Sequence, residues 1–291
     1  MTIEAIDDGA REANGREARA DAVLARAAER ARRQRLEGRV GTALQLASYA
    51  SILLLWLLAA RTLGAVVPGP IETFEFIGRE LERGTLLAHL WVTTQRVLIA
   101  FVAAMVAGVA IGAAMGSSRR LDDLLQGWLV VTLTVPRILL FVVAYLTIGL
   151  TDRALVLALV ITVVPTIVVA IREGTRALDA SLLEMATAFR RTRAQAWRHV
   201  ILPQLTPFII GTARGALALA WKMVVLGELI GRTSGVGYQI SFYFQFFNMT
   251  GILAYGVTMM VLLAAVDLGV MGVVQRLAFR WRAPVRVNST G

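Results

Sequence analysis

Cysteine is absent from the 291 residues, histidine occurs only at His89 and His199, and lysine only at Lys222. Without cysteine there is no disulfide, no thiolate zinc site and no cysteine nucleophile. Two histidines 110 positions apart make no histidine metal cluster. A phosphate-cradling loop needs Gly-Lys followed by Ser or Thr. The lone lysine follows Trp221 and precedes Met223, so the chain carries no such loop. The first 39 residues hold no apolar core ahead of a small-residue cleavage site, so no secretory signal peptide is expected. A net charge of +10 raises nucleic acid as a partner, but the arginines lie in loops and tails without interleaved aromatics, which argues against it.

Apolar residues make up 57% of the chain, too many for a soluble domain of this length. They gather into six runs, each long enough to cross a hydrocarbon core of roughly 30 Å as helix. The expected spans are residues 42–63, 91–115, 124–150, 154–171, 207–230 and 252–279. A polar tail, residues 1–41, precedes the transmembrane domain (42–282), and a short tail (283–291) follows it. The tail's Ala/Arg/Glu mixture favours helix. With the N-terminus in the cytoplasm, 21 Arg and Lys residues fall inside and 5 outside. The positive-inside rule therefore puts both termini, and the loop after the fourth span, in the cytoplasm. Between the first two spans, Val67-Pro68-Gly69-Pro70 breaks structure, and residues 71–84 read as a short amphipathic helix outside the bilayer.

Within the spans, Gly108, Gly112 and Gly116 recur every fourth position. Such a strip lets a neighbouring helix approach closely, although glycine is frequent in any Ala/Gly-rich membrane helix. Pro136 should kink the third span. Arg96, Arg137, Arg214, Lys222, Glu228 and Asp267 lie in or near apolar segments, where charge is costly and tends to face a cavity or a partner. Lys222, Arg214, Glu228 and Arg137 are the candidate pathway residues. Arg96, Arg214 and Asp267 lie near span ends, where snorkelling is the plainer expectation. Lys222 and Glu228 are six apart, about 240° around a helix, so each should look to a different neighbour. The stretch from Gly231 to Thr250 reads as an external hairpin, either a gate or docking surface or a connecting loop.

The loop after the fourth span, residues 179–203, is long and helical in pattern. Leu182, Met185, Ala186 and Phe189 recur at helical spacing, as do Trp197, Val200 and Ile201, with Glu184, Arg190, Arg191 and Arg198 around them. Asp179 or Ser181 is placed to cap a helix start. Two short helices joined near Arg191 and Thr192 would present an apolar knob with a cationic rim, suited to docking a protein. An amphipathic helix lying on the membrane would share the same pattern. Pro203 and Pro207 should set the angle of entry into the fifth span.

The order Glu184-Met185-Ala186, Arg190, then Val200-Ile201-Leu202-Pro203, closing as hydrophobic-x-Leu-Pro, resembles the coupling segment of binding-protein-dependent ABC transporter permeases, E-A-A-x3-G-x9-I-x-L-P. Glu184 and Pro203 are 19 positions apart, as in the family. Two departures stand out. Met185 replaces the first alanine, and Arg190 replaces a glycine, a position where arginine is expected to take ordinary backbone angles. Val67-Pro68-Gly69-Pro70, the region from Gly112 to Arg120, Gly231-Arg232-Thr233-Ser234-Gly235-Val236-Gly237-Tyr238, Gln245-Phe246-Phe247-Asn248-Met249 and Phe279-Arg280-Trp281-Arg282 resemble the nitrate/sulfonate/taurine group of these permeases.

The resemblance implies an all-α, polytopic type I importer permease: six transmembrane helices with a cytoplasmic coupling segment, in a bacterial inner membrane. It implies no catalytic residues, metal or cofactor in this chain, with ATP bound by a partner subunit. The implied partners are cytoplasmic ABC ATPases, a periplasmic or lipid-anchored solute-binding protein, membrane lipid and a second copy of this chain, but not nucleic acid. Glu184, Met185, Ala186, Phe189, Arg190, Arg191, Leu202 and Pro203 would transmit the ATPase's motion. The solute would be a small anion such as nitrate, a sulfonate or taurine. Two other classes remain in view. An ion-gradient-driven carrier would place carboxylates deep in its spans, for which only Glu228 and Asp267 offer themselves. A membrane-integral enzyme would need an acid–base or metal cluster that the sequence lacks.

Overall fold

A computed structural model of the chain describes residues 40–64 and 66–272. The readings for the N-terminal tail, the end of the sixth span and the C-terminal tail fall on residues 1–39 and 273–291, outside the described residues. The described residues form helices and no strand. The chain divides into two units, residues 1–70 and 71–291.

The first unit contains helix α1, Val40–Thr62, long and apolar enough to cross a membrane. Leu44, Tyr49, Ile52, Leu55 and Leu58 are exposed around its circumference, so it has no buried stripe. Its hydroxyls turn inward instead: Ser51 donates to the Ser48 carbonyl and Thr62 to that of Leu58, which suits a segment without water partners. Trp56 closes the end of the unit, donating its indole N–H to the Pro68 carbonyl at 3.1 Å.

The second unit starts with α2 (Pro70–Glu82), followed by α3 (Thr85–Ser117), α4 (Arg119–Thr134), α5 (Arg137–Ile148) and α6 (Asp152–Arg176). Then come α7 (Ala180–Ala188), α8 (Arg193–Ala196) with a π-turn over Trp197–Ile201, and α9 (Leu202–Gly231). Helices α10 (Val236–Gln245) and α11 (Met249–Val266) follow, the latter ending in a π-turn over Asp267–Met271. Five helices pass singly as spans, counting α1, and α4 with α5 forms a sixth if the bent pair is one crossing.

That pair departs from the expected single span kinked at Pro136. The axes of α4 and α5 differ by 95°, a break rather than a kink. Proline removes an N–H and also excludes its predecessor from helical angles. Val135 accordingly sits extended, at φ −61° and ψ 128°. The fifth span also differs. It does not begin at Pro207 behind an angled joint, but continues from the second half of the segment between α6 and α9, with 38 residues, Ala194–Gly231, forming one run. Pro203 lies inside that run, where its missing N–H interrupts the ladder, and just before it the ladder widens so that Leu202 N–H bonds Trp197 five residues back.

The core forms where α3 and α6 cross. Val97, Ala100 and Ala104 of α3 are buried with Leu155, Leu159 and Val163 of α6, and with Leu217, Ala220, Trp221 and Val224 of α9. Gly108, Gly112 and Gly116 face Ile167, Ile171 and Thr175, one row of α6 at the same four-residue period. A methyl on Gly108 would lie 2.7 Å from Ile167 Cβ, on Gly112 2.8 Å from the Val168 carbonyl, and on Gly116 2.5 Å from Thr175 Cβ. Side chains there would have to push two backbones apart. We expect Gly112→Val to cost about 1–3 kcal/mol by overpacking, read as a lowered unfolding midpoint of the detergent-solubilised protein. A midpoint equal to the parent's would show that the helices separate freely at this point.

Candidate functional site

Among the described residues, three places hold most of the residues singled out in the sequence. The first is the segment between α6 and α9. Asp179 caps α7, its carboxylate accepting from Ser181 N–H at 2.9 Å and Ser181 Oγ at 2.7 Å. The hydroxyl first, and the N–H after it, hold that carboxyl below the usual range. Asp179 N–H in turn bonds Gln204 Oε1 at 2.9 Å, tying the start of the segment to the start of α9.

The end of α7 corrects the expectation for Arg190. Instead of ordinary angles it takes φ +51°, in the left-handed region. Arg190 N–H bonds the Thr187 carbonyl and Arg191 N–H bonds that of Ala186, which is the paired closure of a Schellman motif. The arginine therefore occupies the backbone state that glycine enters freely. The next helix starts with a reciprocal cap: Gln195 N–H donates to Thr192 Oγ1 at 3.3 Å and Thr192 N–H to Gln195 Oε1 at 3.1 Å. Thr-x-x-Gln is a capping box, a signal present in the sequence but not used in reading it.

These two stops fold the segment into a helical hairpin. Ala186 is buried between its arms, beside a 400 Å³ hollow that Met185, Phe189, Arg191 and His199 also line. Phe189 is 72% exposed, and Met185, Trp197 and Leu202 are exposed with it. Glu184, Arg190, Arg191 and Pro203 are exposed as well. Replacing Arg190 by glycine removes a left-handed-region cost of about 1 kcal/mol. We expect amide exchange at residues 190 and 191 to slow roughly fivefold in Arg190→Gly. Unchanged or faster exchange would mean that the motif is not formed in solution.

The second place is buried. Glu228 of α9, a candidate pathway residue expected to look to another helix, is fully enclosed at 0% exposure. Its carboxylate accepts from Arg96 at 2.7 Å, from Thr93 Oγ1 at 2.9 and 3.0 Å, and from Gly237 N–H at 2.9 Å. Arg96, expected to snorkel, is buried too, and also bonds Asp152, the Ser234 carbonyl and Ser234 Oγ. An unpaired charge here would be costly, whereas a fully satisfied pair is tolerated. The hairpin after α9 is held by the same groups. The first N–H groups of α10 are accepted by side chains of α3 and α9: Gly235 by His89 Nδ1, Val236 by Thr93 and Gly237 by Glu228. Gly235, at φ +105°, lies against the Glu228 carboxylate where a Cβ would collide. The sequence carried a trace of this: two glycines within three residues, just after a carboxylate in an apolar helix.

A related clamp, also missed in the sequence, fastens α4 to α6. Buried Asp122 accepts from Arg172 at 3.2 Å and Arg176 at 2.5 Å. These arginines had been counted only as loop charge. Removing one partner of the enclosed Arg96–Glu228 pair should cost about 3–5 kcal/mol. We therefore expect Glu228→Ala to lower the unfolding midpoint sharply and Arg96→Met with Glu228→Leu to recover part of the loss, measured by thermal unfolding. Additive losses in the double variant would mean that the two groups act independently.

The third place is a groove of about 550 Å³ between α9 and α11. Arg214 and Lys222 line it from α9, Met260 and Leu263 from α11, with Asp267 in the π-turn beyond. Arg214 grips Asp267 in a two-pronged pair, Nε to Oδ1 at 2.6 Å and an Nη to Oδ2 at 2.5 Å. Lys222 is exposed. The structure thus brings Lys222 and Arg214 together but leaves Glu228 and Arg137 apart. Arg137 is exposed on the first turn of α5, beyond the break.

Comparison with known proteins agrees with this architecture. Residues 101–282 match the family described as binding-protein-dependent transport system inner membrane component. A protein of Escherichia coli (strain K12) named as an aliphatic sulfonates transport permease is 31% identical over 198 residues, covering 68% of this chain and 75% of its own. A riboflavin transport system permease protein of Chloroflexus aurantiacus is 29% identical over 222 residues, covering 75% of this chain and 81% of its own. Among solved structures, an inward-facing methionine ABC transporter superposes with a TM-score of 0.60 at 18% identity, over 68% of this chain and 98% of that one, a likeness of fold. With well over half of its length matched, the chain belongs to the family of binding-protein-dependent transport system inner membrane components.

Proposed function

We propose that this chain is the permease subunit of an ABC importer, passing a small solute across the membrane when a separate ATPase pushes on the hairpin of α7 and α8. One observation carries the reading: the hairpin exposes Met185, Phe189 and Trp197 within an arginine rim, and its second arm runs unbroken into α9. An apolar centre with a polar border suits a protein partner. A continuous helix transmits a displacement at one end along its length.

The chain is a multi-pass membrane protein of a family whose name implies a solute-binding protein as partner. In our reading it lies in a bacterial inner membrane, both termini and the coupling hairpin in the cytoplasm, as the arginine distribution supports. ATP is held by the partner ATPase, since the lone lysine stands outside any phosphate loop. The polar residues 1–41 and 283–291 flank the permease domain on the cytoplasmic side. Two copies enclose one pathway among membrane lipid, with α9 and α11 facing it. The solute is a small organic anion, supported by relatives named for sulfonates and taurine; the riboflavin relative shows that the family spans wider chemistry.

The test is affinity purification of the full chain from its native membrane, scoring ATP hydrolysis in the eluate. Hydrolysis should co-elute with the parent and fall at least tenfold in Phe189→Asp, a change at an exposed tip that leaves the yield and elution volume of the chain as they were. Co-elution undiminished by Phe189→Asp would remove the hairpin from the coupling role. Solute accumulation on an ion gradient by the chain alone in liposomes would replace the reading with that of a self-sufficient carrier.

A further inference from the structure

Among the described residues, two ion pairs on the apolar helix α9 have opposite character. Arg96 and Glu228 are enclosed and tied to four further groups, so neither can exchange its partner. Arg214 and Asp267 face the groove between α9 and α11 and bond only each other among the described residues. Side chains on both members remain more than a third exposed, at 44% and 36%. A competing anion can reach that pair.

Lys222 lies on the same groove, eight residues along α9 from Arg214, or about 12 Å. Its ammonium group makes no hydrogen bond or ion pair among the described residues. The Arg214–Asp267 pair is neutral overall, so the groove carries the net positive charge of Lys222 in otherwise apolar walls of leucine, methionine, valine and alanine. Low-polarity walls strengthen the attraction of such a charge for an anion. A cation in an apolar span that lacks a protein partner is expected to serve a pathway.

Resting on the importer reading above, we propose that Lys222 and Arg214 form a two-step relay for a small organic monoanion of the alkanesulfonate type. Asp267 is the placeholder that occupies Arg214 until the solute displaces it. Lys222 receives the anion first because its charge is uncompensated. Arg214 offers two parallel N–H donors that match a sulfonate or carboxylate edge as they match Asp267. Asp267 then reclaims Arg214 and the anion leaves. No bond is made or broken, and charge is conserved by exchanging one anion for another on the same guanidinium.

The single lysine makes the test direct. Reductive methylation with carbon-13 formaldehyde marks only Lys222 and the chain's α-amino group. The methylated full chain, in phosphatidylcholine nanodiscs, is titrated with ethanesulfonate replacing chloride at constant ionic strength. The Lys222 resonance should shift saturably, while diethyl sulfone, neutral and of similar size, should leave it unmoved. Asp267→Asn, which frees Arg214, should tighten the apparent affinity at least fivefold, and Arg214→Gln, which frees the Asp267 carboxylate, should weaken it at least fivefold. Adding phosphatidylglycerol distinguishes solute from lipid: the response should persist, and its loss would assign the site to an anionic headgroup and overturn the proposal. A linear, unsaturable shift in the parent overturns it whether or not the variants fold, as does equal affinity in both variants. Because no ATPase is present, this titration can fail while ATP hydrolysis still co-elutes with the hairpin, and the reverse, so the two readings fail separately.

Discussion

The enclosed pair of Arg96 and Glu228 is the fixed point of the second unit. It joins α3 to α9, and through Asp152, Ser234 and Gly237 it reaches the start of α6 and the loop leading into α10. A buried ion pair is a poor source of stability compared with well-packed apolar groups. Its value lies in what it forbids. Any sliding of α9 along α3 by a turn would strand a carboxylate or a guanidinium in an apolar interior. The pair sets the register of the helix that carries both the groove lining and the second arm of the exposed hairpin.

At the crossing of α3 and α6 the constraint is steric. Gly108, Gly112 and Gly116 bring backbone against Ile167, Ile171 and Thr175, leaving no space for a side chain. In hydrocarbon there is little apolar driving force between helices, and close van der Waals contact must hold them. Polar register on one side of α3 and close packing on another leave α3, α6 and the outer part of α9 with few ways to shift. By contrast, α4 and α5 are separated by a 95° break at Pro136. Asp122 fastens only the beginning of α4, through Arg172 and Arg176 of α6.

The fold was legible where a single local rule decides it. Apolar runs of sufficient length gave the spans, and glycines at a four-residue period gave a close-approach strip, because both depend on composition along one helix. Pro136 was legible as a disturbance, but its 95° consequence was not, since a missing N–H marks where a helix is weakened and not the angle at which the chain resumes. Arg96 was misplaced for a related reason, and Glu228 was legible only as looking to some other helix. A charge in an apolar span must face a cavity or a partner, and nothing in one helix tells which. The partner of Glu228 lies 132 positions away. Arg190 shows the opposite error. Its side chain argued for ordinary angles, but the Schellman closure over Ala186 and Thr187 is a backbone arrangement, and it imposes φ +51° on whatever residue stands there. The Thr192–Gln195 capping box was fully legible and marks the same turn from its other side.

These constraints meet in the run from Ala194 to Gly231. At about 57 Å of helix, it is longer than the hydrocarbon core is thick. One end is the second arm of the exposed hairpin; near the other end Glu228 is locked to α3; Arg214 and Lys222 lie between. In the importer proposed above, a push on the hairpin would enter this helix through its second arm, and with the far end locked the displacement would appear as tilt or bending between the ends. The π-turn at Trp197–Ile201 and the prolines at 203 and 207 are where the hydrogen-bond ladder is already incomplete, so bending is cheapest there. The groove with Arg214 and Asp267 lies just beyond that weak stretch, on the side toward the lock. In that proposal, motion of the hairpin would reach the Arg214–Asp267 pair before the Arg96–Glu228 pair, so the groove could change while the locked end of α9 keeps its place.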